Sequence, residues 1–232
     1  MFGSFEENTH NRNLDFTNGD VDALLDMIDE GEHDQQDFKF RIDSSQKIAR
    51  TLSAFANTRG GHLLIGVKDN GKITGVDPEE EFYMVQGASD VFCDPPIPLT
   101  TEVFDFEGKL VLKINIAASK DRPHFVKESN NQKIAYIRQA DENFAANKVL
   151  IRFMRDKSPA AKRPNLVAYG PVERALFDLL SSQGSISISK FCRVAKIPRH
   201  KGEKTLSTFI KWGLVSWHAN EDGIKFSLTE EA

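Results

Sequence analysis

The feature that most constrains the fold is a short, nearly unbroken apolar run, Gly61-His-Leu-Leu-Ile-Gly-Val67. A run of this length is typical of a central β-strand that is buried on both faces. The residues before it, Asn57-Thr-Arg-Gly-Gly61, supply the glycines that a left-handed helix C-cap requires. The sequence therefore predicts a helix that ends at a glycine turn and leads into the middle strand of a sheet.

Helices and strands mix without strict alternation over the first two-thirds of the chain. Acidic and apolar residues alternate at helical spacing from Asp20 to Glu30, and Ser44 or Ser45 is placed to cap the helix that ends near Asn57. Period-two alternation predicts a short strand at Asp37–Arg41. Further predicted elements are hairpins around 69–71 and over 101–116, a helix over 79–90, a strand over 133–138 and a helix over about 142–156. The predicted fold class is α+β, or mixed α/β.

A proline-rich, basic segment from Lys157 to Asn165 separates two parts of the chain. Its composition is that of a linker, so we predict one domain over residues 1–157, a linker over 158–164 and a second domain over 165–232. The net charge of −4 is divided unevenly, with −8 in residues 1–157 and +4 in residues 158–232. An acidic average argues weakly against a nucleic-acid partner, but the second domain is basic.

The second domain shows the order of elements of a winged helix-turn-helix. Helices are predicted from Gly170, over 190–196 and over 199–212, followed by strands at 214–218 and 224–228. In such a module the third helix enters the DNA major groove, where cations neutralise phosphates and polar side chains reach base edges. We expect its exposed face to present Arg199, His200, Lys201, Lys204, Thr205, Thr208 and Lys211. The alternative is a small domain used only for protein interaction or dimerisation, whose bases form an ordinary solvated face.

The remaining composition indicates a cytoplasmic protein. Cys93 and Cys192 are the only cysteines, which is too few for a disulfide framework or a zinc site. No apolar stretch is long enough to span a bilayer, and the N-terminus shows no secretory signal. A two-fold regulator matches a pseudo-palindromic DNA site, so we expect a homodimer.

Residues about 20–156 resemble the Schlafen-type AlbA-like domain. The resemblance lies in a helix that ends in Ala-Phe-Ala-Asn-Thr, the following Gly-Gly pair and the apolar strand after it. The segments that carry it are Asp37–Lys39, Leu52–Gly61, Leu63–Gly71, Ile73–Val76, Arg122–His124 and Ala135–Arg138. Bacterial members of this family look like DNA-binding domains, often joined to a winged helix and labelled transcriptional regulators. The resemblance therefore implies a sheet-and-helix AlbA-like domain followed by a small winged helix.

The leading interpretation is a DNA-binding transcriptional regulator without a cofactor. The winged helix would bind duplex DNA, and the AlbA-like domain would serve assembly, ligand sensing or accessory nucleic-acid contact, with RNA as a second possible partner. Some family members carry ATPase-like or helicase-like labels, but this sequence contains no G-x-x-x-x-G-K-[ST] phosphate loop. A non-catalytic interaction module without nucleic acid is a further alternative.

The resemblance also implies an enzymatic alternative. Vertebrate Schlafen relatives cleave tRNA and rRNA with three acidic residues, two in a Glu-x4-Glu-Phe-Lys element and one after the Gly-Val strand. These positions fall on Glu32, Asp37 and Asp69, where clustered carboxylates would hold Mg²⁺ or Mn²⁺. Lys39 would stabilise developing negative charge or contact the nucleic acid. Against this, Asp37 replaces a Glu, and Asp69 is equally expected in an Asp-Asn-Gly turn.

Overall fold

The computed structural model of the protein describes residues 16–157 and 170–229, so the predicted linker at 158–164 lies outside the described residues. The first part contains four helices, which are α1 (Val21–Glu30), α2 (Ser45–Asn57), α3 (Pro78–Phe92) and α4 (Lys148–Arg155). Its strands are β1 (Thr17–Asn18), β2 (Gln36–Lys39), β3 (Gly61–Ile65), β4 (Cys93–Asp94), β5 (Leu99–Phe106), β6 (Lys109–Ile116), β7 (Phe125–Lys127), β8 (Lys133–Gln139) and β9 (Glu142–Ala145). The mixed α+β class is confirmed.

The main sheet has five strands in the order β1-β5-β6-β3-β2. The strand predicted from the apolar run is β3, and it lies between β6, to which it is antiparallel, and β2, to which it is parallel. Leu63, Leu64 and Ile65 are fully buried, as expected for a strand covered on both faces. The turn before it contains Gly60 at φ +75°, and its N–H donates to the carbonyl of Phe55 at the end of α2.

Helix α2 lies between the main sheet and a second, four-stranded antiparallel sheet with the order β4-β7-β8-β9. Ser44 caps the helix, since its side chain accepts from the N–H of Lys47. Residues Leu52 to Asn57 are all buried, because nearly the whole circumference of the helix packs against the two sheets and α3. This position explains why the helix ends in small and apolar residues.

Asn57, at the end of α2, ties this helix to the second sheet through its buried amide group. Its Nδ2 lies 3.0 Å from the carbonyl oxygen of His124 and 2.9 Å from that of Tyr136. Its Oδ1 accepts from the N–H of His124 at 2.8 Å, and Ser53 Oγ donates to the carbonyl of His124 at 2.8 Å. These bonds satisfy backbone groups of the second sheet that would otherwise be buried without partners.

The second part of the chain contains α5 (Pro171–Gln183), α6 (Ile188–Val194) and α7 (Arg199–Lys211). Its strands β10 (Ser185–Ile186), β11 (Val215–Asn220) and β12 (Gly223–Leu228) form an antiparallel sheet in the order β10-β12-β11. The helix α4 packs against α7, and one hydrophobic cluster joins Ile137, Val149, Leu150 and Met154 to Leu176, Phe191, Leu206 and Phe226. The core of the second part is therefore shared with the last helix of the first.

Two local predictions differ from the structure. The helix predicted over 142–156 is wrong in its first half, because residues Glu142–Ala145 form β9 and pair with β8. Asn147 starts α4 by accepting from the N–H groups of Val149 and Leu150. The hairpin predicted around Asp69-Asn-Gly71 is reduced to one bridge between Val67 and Ile73. Within 16–157 and 170–229, no helix is long and apolar enough to cross a membrane.

The Asn57 network yields a stability prediction. Replacing Asn57 by Ala leaves backbone groups of His124 and Tyr136 buried without partners, which we expect to lower the free energy of unfolding by about 2–4 kcal/mol. Urea unfolding of the whole chain measures it. Asn70→Ala is the matched control, since Asn70 is exposed and makes one 3.2 Å bond to the N–H of Lys72. Equal losses in the two variants would contradict the proposed role of Asn57.

Candidate nucleic-acid interface

The first half of α7 presents the exposed cations that the sequence predicts. Arg199, His200, Lys201 and Lys204 are exposed, while Thr205 and Thr208 are half-buried. The hydroxyl groups of Thr205 and Thr208 donate to the carbonyls of Lys201 and Lys204, at 3.0 and 2.9 Å. Their protons are therefore used within the helix, and the exposed polar groups of this face are mainly the cations and His200.

Arg199 is partly engaged within the second part of the chain. Its Nε lies 3.3 Å from Glu203 Oε1, and its Nη1 lies 3.4 Å from Ser189 Oγ on α6. Glu203 is buried, so this pair neutralises a carboxylate that would otherwise reduce the positive potential of the face. His200, Lys201 and Lys204 remain directed to solvent at the N-terminal half of α7.

Lys211 lies in a different environment from the one predicted for it. Its side chain is only 12% exposed, and its Nζ lies 2.8 Å from Asp156 Oδ1 at the end of α4. The pattern of α7 by itself contains no sign of its packing against α4. The C-terminal half of α7 is thus part of the contact between the two parts of the chain.

Two of the three acidic residues implied by the resemblance come together. Asp37, on β2, has a side chain that is 6% exposed, and it lies close enough to Glu32 for its charge to act on that carboxyl. Glu32 Oε1 also accepts from the N–H of Phe38 at 2.8 Å. Burial raises the pKa of the Glu32 carboxyl, and the nearby charge of Asp37 contributes in the same direction.

Both oxygens of Asp37 face cations of the protein itself. Arg138 Nη2 lies 3.1 Å from Oδ1, and Lys39 Nζ lies 2.7 Å from Oδ2. Arg138 is almost fully buried, with its guanidinium 5.1 Å from the centre of the Phe55 ring. Asp37 is therefore the counter-ion of a buried arginine, and Lys39 is occupied by the same carboxylate.

Asp69 lies apart from this pair, in the exposed turn after β3. The turn is closed by the N–H of Gly71, which donates to the carbonyl of Lys68. No three His, Cys, Asp or Glu side chains form a metal-binding cluster anywhere in residues 16–157 and 170–229. A hard divalent ion needs several ionised, unpaired oxygen ligands. Glu32, Asp37 and Asp69 in this arrangement do not fit such an ion.

Gln36 and the half-buried His62 form a polar pair next to Asp37, which no local sequence pattern indicates. Gln36 is fully buried, and its Oε1 lies 2.6 Å from His62 Nε2 on β3. Its Nε2 donates to the carbonyls of Met27 and Gly31, which fixes the end of α1 against β2. Burial of the imidazole, together with the charge of Lys113, lowers the pKa of His62 to about 4.

The cysteines carry no reactive site within the described part of the chain. Cys93 is buried, and desolvation raises the pKa of its thiol to about 12, so it stays protonated near neutral pH. Burial also raises the pKa of the half-buried Cys192. Both thiols therefore behave as packing residues.

The comparison with protein families identifies the first part of the chain. The pattern of the family described as "Schlafen, AlbA_2" matches residues 32–147, which is half of the chain. The chain therefore belongs to this family, and the resemblance seen in the sequence is confirmed for this part. Among curated proteins, none matches the chain.

Several solved structures are similar to the chain, including the following two. The DIP2311 protein from Corynebacterium diphtheriae is 21% identical with a TM-score of 0.42, and the match covers 60% of this chain and 32% of that one. The N-terminal domain of a RecG-related protein from Nitrosomonas europaea is 20% identical with a TM-score of 0.40, and the match covers 50% of this chain and 87% of that one. The chain thus spans about a third of the length of the Corynebacterium protein.

The pairing of Asp37 predicts a structural role that can be measured. Asp37→Asn keeps the shape but leaves the buried Arg138 without its counter-charge, so we expect a loss of about 3 kcal/mol in the free energy of unfolding. Asp69→Asn is the control, and as an exposed turn substitution it should change stability by less than about 0.5 kcal/mol. A small effect of Asp37→Asn in urea unfolding would contradict the pairing.

The low pKa of His62 predicts a pH dependence. An unfolded chain binds a proton at the ordinary value of 6.5, whereas the folded protein does so only near 4. The contribution of the neutral ring to the free energy of unfolding is therefore fully present above pH 6.5, and it is lost as the pH falls toward 4. Between these values we expect the wild type to lose about 1–2 kcal/mol more than His62→Gln, allowing for the partial exposure of the ring. Identical profiles in urea unfolding at several pH values would contradict the assignment.

Proposed function

We propose that the protein is a DNA-binding regulator whose second part acts as a winged helix. The observation that carries this proposal is the cluster of exposed basic side chains at the N-terminal half of α7, formed by His200, Lys201 and Lys204. In helix-turn-helix proteins the N-terminal residues of the recognition helix contact base edges. The order of three helices followed by the hairpin β11–β12 supports the same interpretation.

The charge distribution around α7 supports binding to a polyanion. The preceding helix α6 adds Lys190 and Arg193, and Lys196 follows it at a positive φ of 51°. The buried carboxylate of Glu203 is paired with Arg199, so it does not repel a phosphate backbone from this face. Cations that neutralise phosphates make binding sensitive to salt.

We propose that the AlbA-like part positions this helix and adds contacts to nucleic acid. Its family membership supports a nucleic-acid-related role, since bacterial members resemble DNA-binding domains. The packing of α4 on α7 gives it a direct structural connection to the basic face. Catalysis is not proposed, because the paired oxygens of Asp37 and the distant Asp69 supply no observation in its favour.

The test is DNA binding by the full chain, because α4 shares its core with the second part and a fragment from 165 onward would expose that core. Fluorescence anisotropy with a random-sequence duplex should show binding that weakens as salt increases. Lys201→Gln should reduce affinity roughly fivefold at moderate salt, as expected for one lost phosphate contact. Lys72→Gln, in the exposed turn after β3, is the control and should leave affinity unchanged.

Three results would overturn the proposal. The first is a wild-type protein that does not bind DNA, and the second is binding that does not depend on salt. The third is cleavage of structured RNA in the presence of Mn²⁺ that is lost in Asp69→Ala, which would establish the nuclease alternative instead.

The proposal includes a homodimer, because a two-fold regulator recognises two half-sites related by symmetry. The chain has a mass of 26.1 kDa, so sedimentation equilibrium should give twice this value for the free protein, or for the protein bound per duplex once the mass of the DNA is subtracted. A monomer mass both free and on a duplex that contains an inverted repeat would contradict this part of the proposal.

A further inference from the structure

A groove of about 650 Å³ runs between α4 and α7 on the surface of the protein. One wall is α4, with Lys148, Arg152 and Arg155, and the other is α7, with Lys204 and Thr208. The three cations of α4 lie at positions i, i+4 and i+7, which places them on one face of the helix. The acidic first part of the chain thus contributes a basic stripe directly beside the basic helix of the second part.

The acidic groups of the groove are neutralised by other residues. Asp156 is paired with Lys211 at 2.8 Å, and Glu203 is paired with Arg199 at 3.3 Å. None of the four groove cations forms an ion pair with any described residue. Arg155 lies against the Phe125 ring, 5.6 Å from its centre, which holds its guanidinium at the edge of the groove. The groove therefore carries an uncompensated positive charge.

Helix stability does not account for this arrangement. Arg152 and Arg155 lie in the last turn of α4, where a cation favours the helix dipole, but Lys148 is the first residue of the helix, where a cation opposes it. Lys204 lies in the interior of α7 and receives no such benefit. Cations on two separate helices, turned toward one groove without partners, favour an anionic occupant.

We propose that this groove binds the phosphodiester backbone of the nucleic acid that α7 contacts. Three cations over seven residue steps extend along about 10 Å of helix axis. This length corresponds to about three successive phosphates of one strand rather than to a single small anion. This inference rests on the proposed function, and it adds that the AlbA-like part holds the backbone while the start of α7 faces the bases.

The groove and the start of α7 should differ in how their contacts depend on the DNA sequence. Contacts to phosphates position a protein on DNA but do not distinguish base pairs, whereas contacts to base edges do. Loss of the groove cations should therefore weaken binding to all duplexes by the same factor. Loss of His200 at the start of α7 should change the preference among duplexes.

The experiment measures binding of the full chain to random-sequence and selected duplexes over a series of salt concentrations. Lys148→Gln with Arg152→Gln should reduce affinity at least roughly tenfold at moderate salt and lower the salt slope by about 2. Lys204→Gln, on the opposite wall, should lower the slope by about 1. Lys109→Gln, an exposed lysine at the start of β6 outside the groove, should leave both unchanged.

The outcomes separate the groove from the function as a whole. Wild-type protein that fails to bind any duplex overturns both the regulator proposal and the groove. Wild-type binding with an unchanged slope in the groove variants, each with the wild-type unfolding midpoint, overturns the groove alone. If the α4 double variant unfolds more readily, the slope of Lys204→Gln decides the question from the other helix, and an unchanged slope there overturns the groove.

Discussion

Asn57 joins α2 to the second sheet, because its amide bonds to backbone groups of both His124 and Tyr136. Because these backbone groups are buried, each would lack a hydrogen-bond partner without Asn57. A buried polar group without a partner lowers the free energy of unfolding. The same residue ends the helix just before the glycine turn that leads into β3. The order Ala-Phe-Ala-Asn-Thr-x-Gly-Gly therefore encodes a helix end, a link from the helix to the second sheet and the start of a strand within a few residues.

The buried charges of the molecule follow from this architecture. Once α2 and β8 are packed together, Arg138 is enclosed beside Phe55, and Asp37 is the carboxylate that faces it. An ion pair of this kind contributes little net stability but penalises strongly the loss of either partner. Asp37 is thus committed to the interior, while the proposed binding chemistry lies on α4 and α7.

Local signals in the sequence predict most of the helices and strands, but they do not predict the tertiary contacts that these elements make. Ser44 and the glycines after Asn57 act through hydrogen bonds to near neighbours, so the bounds of α2 could be predicted. The strand β9 was missed because its pairing with β8 overrides the helical pattern of residues 142–156. Lys211 was placed on an open face because its partner, Asp156, lies 55 positions earlier in the chain. The unpaired state of Lys148 and Arg152 likewise depends on tertiary contacts that no local pattern contains.

The shared core of α4 with α5, α6 and α7 has a consequence for the modularity of the protein. A chimera joined in the proline-rich segment would separate Val149, Leu150 and Met154 from the side chains that cover them, and would leave an apolar stripe in contact with a foreign surface. A segment that is to be transferred to another protein should begin before Asn147, so that α4 stays with the helices against which it packs. Recombination in this architecture is constrained by packing rather than by the position of the linker.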